Sequence, residues 1–197
     1  LKARHPYLQL VRGMLLLAAT ICMYNALARV PLADATAVLF FTPIVVTILS
    51  VIVLKESIGI HRIGAIIAGF CGMLLILRPG FAGIEPALGF ALAASGFNAC
   101  YLLMTRRLAG TEDAASTQFN TTAAGAVILT LVIIPFWETP APATLALLVL
   151  SGVAGSIGHF TLVTAFSHAP ASLLSPFLYS QVLVASILSV VLFGDPL

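Results

Sequence analysis

Five polar side chains lie inside long apolar stretches of this sequence, where each of them needs a partner or a purpose. They are His159, Asn98, Tyr101, Tyr179 and Gln181. An imidazole can bind a ligand or carry a proton at about pH 6–7, and amide and phenol groups together offer donors and acceptors. Such a set would recognise a polar, flat or aromatic small molecule. The same side chains would also join neighbouring helices through hydrogen bonds, and the sequence leaves both interpretations open.

The sequence lacks the patterns that reactive or metal-binding sites require. It has no nucleophile beside a base, no phosphate-binding loop and no cysteine–histidine cluster. Its cysteines, Cys22, Cys71 and Cys100, are far apart in apolar runs and suit small buried residues. We therefore expect no catalytic residue, no cofactor and no metal. A membrane enzyme would need a reactive constellation that these residues do not form.

The composition indicates which elements must position the five side chains. Of the 197 residues, 60% are hydrophobic and only 8% are charged, whereas a soluble domain carries roughly 25% charged residues. So few charges cannot cover a surface that faces water. The composition excludes an ordinary soluble enzyme and a disordered chain, and nine basic residues against seven acidic ones form no nucleic-acid-binding patch. The chain is predicted to be an all-α integral membrane protein within the lipid bilayer.

The charges divide the sequence into seven uncharged runs, each predicted to be a helix: 13–28, 35–54, 63–77, 86–105, 114–137, 139–167 and 169–194. If the N-terminal segment is cytoplasmic, seven basic residues lie on that side and only Arg29 and Arg78 on the other. The seven are Lys2, Arg4, Arg12, Lys55, Arg62, Arg106 and Arg107. This bias predicts that the loop 55–62 and the turn near His168 are cytoplasmic.

An internal repeat appears when the chain is aligned with itself at the constant offset that places Pro31 on Pro170. At this offset the run ILSVIVLKE, which ends at Glu56, meets ILSVVLFGD, which ends at Asp195. We call this match the self-alignment. The turn at Pro31 is external by the charge count and the turn at Pro170 is cytoplasmic. The two copies are therefore predicted to be inverted in the membrane, an arrangement typical of secondary transporters that work by alternating access.

The repeat predicts how the helices are distributed. Residues 1–80 would hold three helices of a first repeat, and residues 81–197 would hold four helices of a second. Two helices before residue 1 and one after residue 197 would complete a bundle of five plus five, of which seven are present. Inverted repeats carry their site at mid-membrane, where helices are interrupted. Tyr179 and Gln181 follow Pro176, and their counterparts Phe40 and Thr42 precede Pro43.

Glu56 and Asp195 end equivalent helices, where the helix dipole disfavours a carboxylate. We expect a compensating group near them, which would make either a structural tie between helices or a latch that depends on conformation. Gly64, Ala68 and Gly72 form a face of small residues, which is typical of close helix packing.

The stretch 25–80 resembles the EamA domains of the drug/metabolite transporter superfamily. The resemblance rests on PLADA leading into a helix, the interior Pro43, the terminal Glu56 and the run GMLLILRPG, and the copy at 165–195 is similar to helices eight and nine of such proteins. It implies ten helices, cytoplasmic termini and a central cavity between the repeats. Its members move amino acids, vitamins, nucleoside-like compounds and drugs, and the PLADA pattern is similar to members that move riboflavin or S-adenosylmethionine.

Together these observations predict a secondary transporter of small organic metabolites in a bacterial inner membrane. The five polar side chains named first are its expected substrate-binding residues, on the fourth, sixth and seventh helices. The alternative is a membrane scaffold or sensor that transports nothing. The sequence leaves a homodimer open.

Overall fold

The computed structural model of the chain describes residues 3–78 and 86–193. Over these residues the regular structure is helical, apart from one isolated bridge between Ala109 and Glu112. The α-helices are α1 Pro6–Leu27, α2 Leu32–Leu39, α3 Thr42–Leu54, α4 Ile60–Leu77, α5 Leu88–Leu108, α6 Ala114–Ile133, α7 Pro142–His168, α8 Ala171–Leu174 and α9 Ser180–Phe193. Short 3₁₀ turns follow α6 and α8, at Ile134–Phe136 and Ser175–Tyr179.

The helices confirm the predicted fold class. Six helical segments of the described chain are long and apolar enough to cross a membrane: Pro6–Leu27, Leu32–Leu54, Leu88–Leu108, Ala114–Phe136, Pro142–His168 and Ala171–Leu188. The remaining predicted run, 63–77, corresponds to α4, whose apolar part is shorter. Many large apolar side chains on these helices are exposed, as expected where the surroundings are lipid rather than water.

The chain forms two compact units. The first unit contains the chain up to Met14 together with Met104–His168, and the second contains Leu15–Leu103 and the chain from Ala169 onwards. The helices α1 and α5 contribute residues to both. All of α2, α3, α4, α8 and α9 belongs to the second unit, so that unit holds the two segments that the self-alignment matches.

The first matched segment is interrupted at Phe40 and Phe41, between α2 and α3. Proline lacks the N–H that would continue the hydrogen-bond ladder. Pro43 therefore stands in the first turn of α3 and gives no hydrogen bond to the Leu39 carbonyl. The Thr42 hydroxyl donates to that carbonyl instead, at 2.6 Å. A side chain thus satisfies the backbone group that the break would otherwise leave without a partner.

The second matched segment is interrupted at the equivalent place. α8 ends at Leu174, the 3₁₀ turn that contains Pro176 runs to Tyr179, and α9 begins at Ser180. The self-alignment carries the first break, at 40–41, onto 179–180. The two breaks therefore overlap at Tyr179, the counterpart of Phe40, although the self-alignment does not place Pro43 on Pro176.

Three contacts show that the two segments run in opposite directions. Glu56 accepts hydrogen bonds at the start of α8, the hydroxyls of Thr47 and Ser175 lie 3.2 Å apart, and the Tyr179 hydroxyl donates to the Phe40 carbonyl. From the first of these contacts to the last, the residue number decreases in the first segment and increases in the second segment. This antiparallel order is the geometry expected of inverted repeats.

Candidate functional site

The contact between the two helix breaks is the centre of the candidate site in the second unit. The Tyr179 hydroxyl donates to the Phe40 carbonyl oxygen at 3.1 Å, and the centroids of their rings are 5.8 Å apart. These residues are each other's counterparts in the self-alignment, so the contact joins equivalent points of the two repeats. Both residues are buried. This contact therefore lies on the pseudo-two-fold axis that relates the two segments.

Two further aromatic side chains extend this contact. Phe70 of α4 packs edge-on against Tyr179, with ring centroids 6.4 Å apart, and against Phe41, at 4.9 Å. The break is thus surrounded by an aromatic cluster of four residues: Phe40, Phe41, Phe70 and Tyr179. Aromatic faces and edges of this kind are suited to stacking against a flat ring system.

Gly69 allows α4 to approach the cluster closely. A Cβ atom at this position would lie 3.1 Å from Tyr179 Cγ and 3.2 Å from its Cε2, and closer still to its Cδ2. By contrast, a Cβ atom at Gly64 or Gly72 would meet nothing within 4 Å among the described residues. The sequence pointed to the face of Gly64 and Gly72 for close packing, whereas the close approach in this unit is made by Gly69.

The helix α5 reaches the break through Ser95. The Thr42 hydroxyl lies 3.3 Å from Ser95 Oγ and 3.4 Å from its carbonyl oxygen, and both residues are buried. Asn98, half-buried, lies one turn further along α5, and Tyr101 is buried beyond it. Asn98 and Tyr101 therefore lie on the helix that contacts the break through Ser95.

Gln181 and His159 occupy different surroundings. Gln181 is exposed in the first turn of α9, directly after the break. His159 belongs to the first unit, where it is half-buried in α7, close enough to Arg12 for the guanidinium charge to act on it. The sequence-predicted residues thus fall into both units, with Tyr179, Gln181 and the α5 residues in the second.

Arg12 is the residue that sequence reasoning missed. The charge count placed it on the cytoplasmic flank before the first helix, but α1 begins at Pro6 and Arg12 is fully buried within it. Its guanidinium donates to the Thr105 hydroxyl at 2.7 Å, to the Thr117 carbonyl at 3.2 Å and to the Thr121 hydroxyl. Hydrogen bonds of this kind offset much of the cost of burying a charge.

Gln9, one turn before Arg12, is also buried and donates to the Thr117 hydroxyl at 2.9 Å. We call Gln9, Arg12, Thr105, Thr117 and Thr121 the arginine cluster. Within this cluster, Gln9 and Arg12 are far along the chain from the three threonines. The only signal in the sequence is local, namely the spacing of Gln9 and Arg12 by three positions and of Thr117 and Thr121 by four, which puts each pair on one helix face.

Glu56 has the compensating group that its position at a helix end predicted. Its two carboxylate oxygens accept hydrogen bonds from the backbone N–H groups of Ala171 and Ser172, both at 3.1 Å. Unpaired N–H groups at a helix start carry partial positive charge, which favours a carboxylate. Arg62 donates to the Ser172 hydroxyl at 2.8 Å. Residues 55–62, from the end of α3 to the first turn of α4, are thereby tied to the start of α8. Asp195, the counterpart of Glu56, lies outside the described residues.

A loop contact outside the spans ties the start of the chain to the turn before α6. The Glu112 carboxylate accepts a hydrogen bond from the His5 backbone N–H at 2.6 Å and lies 3.3 Å from His5 Nδ1. Burial acts to raise the pKa of Glu112, but the hydrogen bonds from the backbone of His5 and Arg4 outweigh it and hold the pKa below its usual value.

This shift predicts an acid-sensitive contribution to stability. Because the pKa of Glu112 is lower in the folded protein than in the unfolded chain, its stabilisation is present above the unfolded pKa and is lost as the pH falls through the folded value. We expect the melting temperature of E112Q to lie below that of the native sequence near neutral pH, and the two to converge in acid. Thermal unfolding in detergent over a pH series measures this, and a constant gap would contradict it.

The groove of about 450 Å³ between α3 and α4 does not supply the site. It is lined by apolar side chains and one threonine: Ile44, Thr47, Ile48, Val51, Ile52, Ile58, Ile63, Ile66, Ile67 and Phe70. None of the predicted substrate-binding residues is among them. A surface of this composition suits acyl chains or another apolar helix better than a polar metabolite.

The fold and this geometry define the class: a multi-pass helical membrane protein in which inverted segments are broken at matching positions, as in secondary transporters. Comparison with known proteins agrees. The model of the EamA-like transporter family matches residues 4–78. The chain is 30% identical over 196 residues to the S-adenosylmethionine uptake transporter of Rickettsia bellii, covering 99% of this chain and 67% of that protein. The chain belongs to the EamA-like transporter family.

Two further similarities concern a second relative and the fold. The chain is 29% identical over 174 residues to the riboflavin transporter of Vibrio cholerae, covering 84% of this chain and 56% of that protein. A solved crystal structure with 19% identity has the same fold, with a TM-score of 0.84 over 100% of this chain and 72% of the other. The family and these relatives are transporters rather than enzymes, and bacterial relatives indicate an inner-membrane location.

The chain covers only part of the relatives that it matches. It spans 66–67% of the length of the S-adenosylmethionine uptake transporters that it matches. The resemblance recognised in the sequence is confirmed at the level of the family.

Proposed function

We propose that this chain is part of a secondary transporter of small organic metabolites that works by alternating access between two inverted repeats, 1–80 and 81–197. The observation that carries the proposal is the pair of helix breaks at equivalent positions, joined by the hydrogen bond between Tyr179 and Phe40. Helix breaks free backbone groups to face a cavity, and they recur in both halves of transporters with inverted repeats.

The substrate class follows from the chemistry at the break. The aromatic cluster offers stacking surfaces, while Thr42, Ser95 and Asn98 offer hydrogen-bond donors and acceptors beside it. A flat heteroaromatic ring with polar substituents fits both features. S-adenosylmethionine and riboflavin, for which two relatives are named, both contain such a ring, and they are the first substrates to test.

The five residues predicted from the sequence are proposed to line the substrate cavity of the complete protein. Tyr179, Asn98 and Tyr101 would contact the ring and its substituents. Gln181 would contribute an amide at the start of α9, and His159 a group able to bind substrate or to take up a proton.

Uptake measurements test the proposed site. We expect H159A and Q181A each to lower the initial rate of uptake by about tenfold in cells that produce the complete protein, because each loses a polar contact to the substrate worth about 1.4 kcal/mol. Membrane abundance, measured by immunoblot, should stay constant. The control is T122A, since Thr122 is exposed and bonds only to carbonyls of its own helix among the described residues.

Two outcomes would count against the proposal. Unchanged uptake in both H159A and Q181A would remove these residues from the site. No flux of any metabolite through the native protein in proteoliposomes would favour a scaffold or sensor instead.

A further inference from the structure

The apolar groove between α3 and α4 has the depth of one leaflet of a membrane. It runs along α3 from Ile44, just after the helix break, to Ile52, near the end of the helix. The eight positions between them rise about 12 Å, and half of a hydrocarbon core of about 30 Å is about 15 Å. A neighbouring helix that crosses the membrane would need a surface along both leaflets. The groove instead matches an acyl chain that occupies a single leaflet.

The side chains that line the groove come from one face of each helix. They recur at spacings of three and four residues from Ile44 to Ile52 in α3 and from Ile63 to Phe70 in α4. The hydroxyl of Thr47 does not serve the groove, because it donates to the facing segment. Ile48 and Ile67 are more than half exposed. The groove therefore presents hydrocarbon surface that the described part of the chain leaves uncovered.

Basic side chains lie at the cytoplasmic end of the groove, as the charge count orients it. Lys55 directly follows α3, and His61 lies in the first turn of α4, two positions before Ile63 of the groove. Both side chains are exposed, and Lys55 makes no hydrogen bond or ion pair with any residue of 3–78 or 86–193. A phosphate at this end would meet an ammonium group at the depth of the lipid headgroups.

The acidic neighbour of Lys55 is directed to another partner. Both carboxylate oxygens of Glu56 accept hydrogen bonds from the start of α8, and Arg62 donates beside them to the Ser172 hydroxyl and to the Ser57 carbonyl. The charge of Lys55 is therefore not paired with Glu56. This end of the groove can attract an anion, while its walls attract hydrocarbon.

The backbone at Lys55 indicates that the lysine side chain has a role of its own. Its φ of 55° and ψ of 32° are left-handed, a conformation that favours glycine at the end of a helix. The backbone N–H groups of Lys55 and Glu56 donate to the Ser50 carbonyl, and a glycine would make the same turn with less strain. The turn therefore does not require the ammonium group that this residue supplies.

We propose that the groove binds one anionic phospholipid of the cytoplasmic leaflet, with an acyl chain between α3 and α4 and the headgroup phosphate on Lys55. The Ser57 hydroxyl and the His61 imidazole flank this position and can donate hydrogen bonds to phosphate oxygens. Burial of the chain favours any phospholipid, whereas the charge selects an anionic one. The inference goes beyond the proposed function and does not depend on it, because lipid binding is measured without transport.

The inner end of the groove reaches the candidate site. Phe70 lines the groove and also packs against Phe41 and Tyr179. The tail of a bound lipid would therefore lie against a ring of the aromatic cluster. Lipid occupancy and the packing of Phe70 are coupled through this contact.

Photo-crosslinking locates the lipid directly. The complete protein is placed in phosphatidylcholine nanodiscs with a small fraction of phosphatidylglycerol that carries a diazirine on one acyl chain. Irradiation should attach this lipid to peptides that contain residues 44–52 and 63–70, as mapped by mass spectrometry. Phosphatidylcholine with the same modified chain should label them about fivefold less, the preference expected of one basic residue beside an anionic headgroup.

Three variants test the headgroup site. K55Q should lower labelling by phosphatidylglycerol about fivefold and leave labelling by phosphatidylcholine unchanged. The matched control is R78Q, because Arg78 is also exposed and left-handed but does not line the groove; it should change neither. K55G should lose the same preference as K55Q, yet melt no lower than the native protein in detergent, because it relieves the left-handed strain. Loss of labelling in K55G is thereby separated from loss of folding.

Each contrary result overturns the inference. Equal labelling by the two lipids, or native labelling in K55Q, would show that the groove does not recognise a headgroup through Lys55. Absence of label from 44–52 and 63–70, while the exposed side chains of α6 at Val127 and Leu131 are labelled, would show that another helix of the complete protein covers the groove. A protein that binds the lipid but moves no metabolite would remove only the proposed function.

Discussion

Replacing Arg12 with alanine is expected to lower the free energy of unfolding by about 2–4 kcal/mol, because buried hydroxyl and carbonyl groups lose their donor without gaining water. The guanidinium bonds to Thr105, Thr117 and Thr121, and all four residues are buried. R12A should therefore reduce both membrane abundance and melting temperature in detergent.

Two matched variants locate the cause of this loss. R12K keeps the charge but not the planar fork of donors, so its stability should fall between those of the native protein and R12A. R107A removes an exposed arginine from the same unit and should change the free energy of unfolding by less than about 0.5 kcal/mol. If R12A and R107A melt at the same temperature, the arginine cluster does not stabilise the fold.

Replacing Gly69 with alanine is expected to lower the initial rate of uptake by the complete protein. The added Cβ would clash with the Tyr179 ring, and relieving that clash must displace the ring or α4. Overpacking of this kind costs about 1–3 kcal/mol. Displacement of the ring would also weaken the hydrogen bond from Tyr179 to the Phe40 carbonyl, which joins the two helix breaks.

The same helix supplies controls for this variant. A Cβ atom at Gly64 or Gly72 would meet no atom of the described residues within 4 Å, so G64A and G72A should retain native uptake. The variant Y179F removes only the hydroxyl, and it should lower uptake less than G69A does. If all three glycine variants transport equally, the close approach of α4 to Tyr179 is unimportant for function.

The sequence predicted the helical class, the helical runs and the place of the helix breaks. It could do so because each of these depends on local properties: charges end the runs, and Pro43 and Pro176 remove backbone donors. The antiparallel order of the two segments followed from the number of spans between them. The direct contact between Tyr179 and Phe40 could not be predicted. The self-alignment shows that the two positions are equivalent, but it does not show that they lie close together.

Arg12 and Gly69 show where local reasoning was insufficient. A charge count treats an arginine near a span as a flanking residue, and it cannot see the three threonines, distant along the chain, whose hydrogen bonds compensate the burial of Arg12. The small-residue pattern likewise marked the face of Gly64 and Gly72. The residue that needs the absence of a Cβ atom is Gly69, because the Tyr179 ring arrives there from another part of the chain.

Flux through the complete protein in proteoliposomes tests the central claim most directly. With S-adenosylmethionine or riboflavin as substrate, we expect saturable uptake by the T47C/S175C variant in its reduced form. Oxidation of that pair should abolish the uptake, and a reductant should restore it. Saturable flux that is unchanged by the disulfide would contradict transport by alternating access around these contacts.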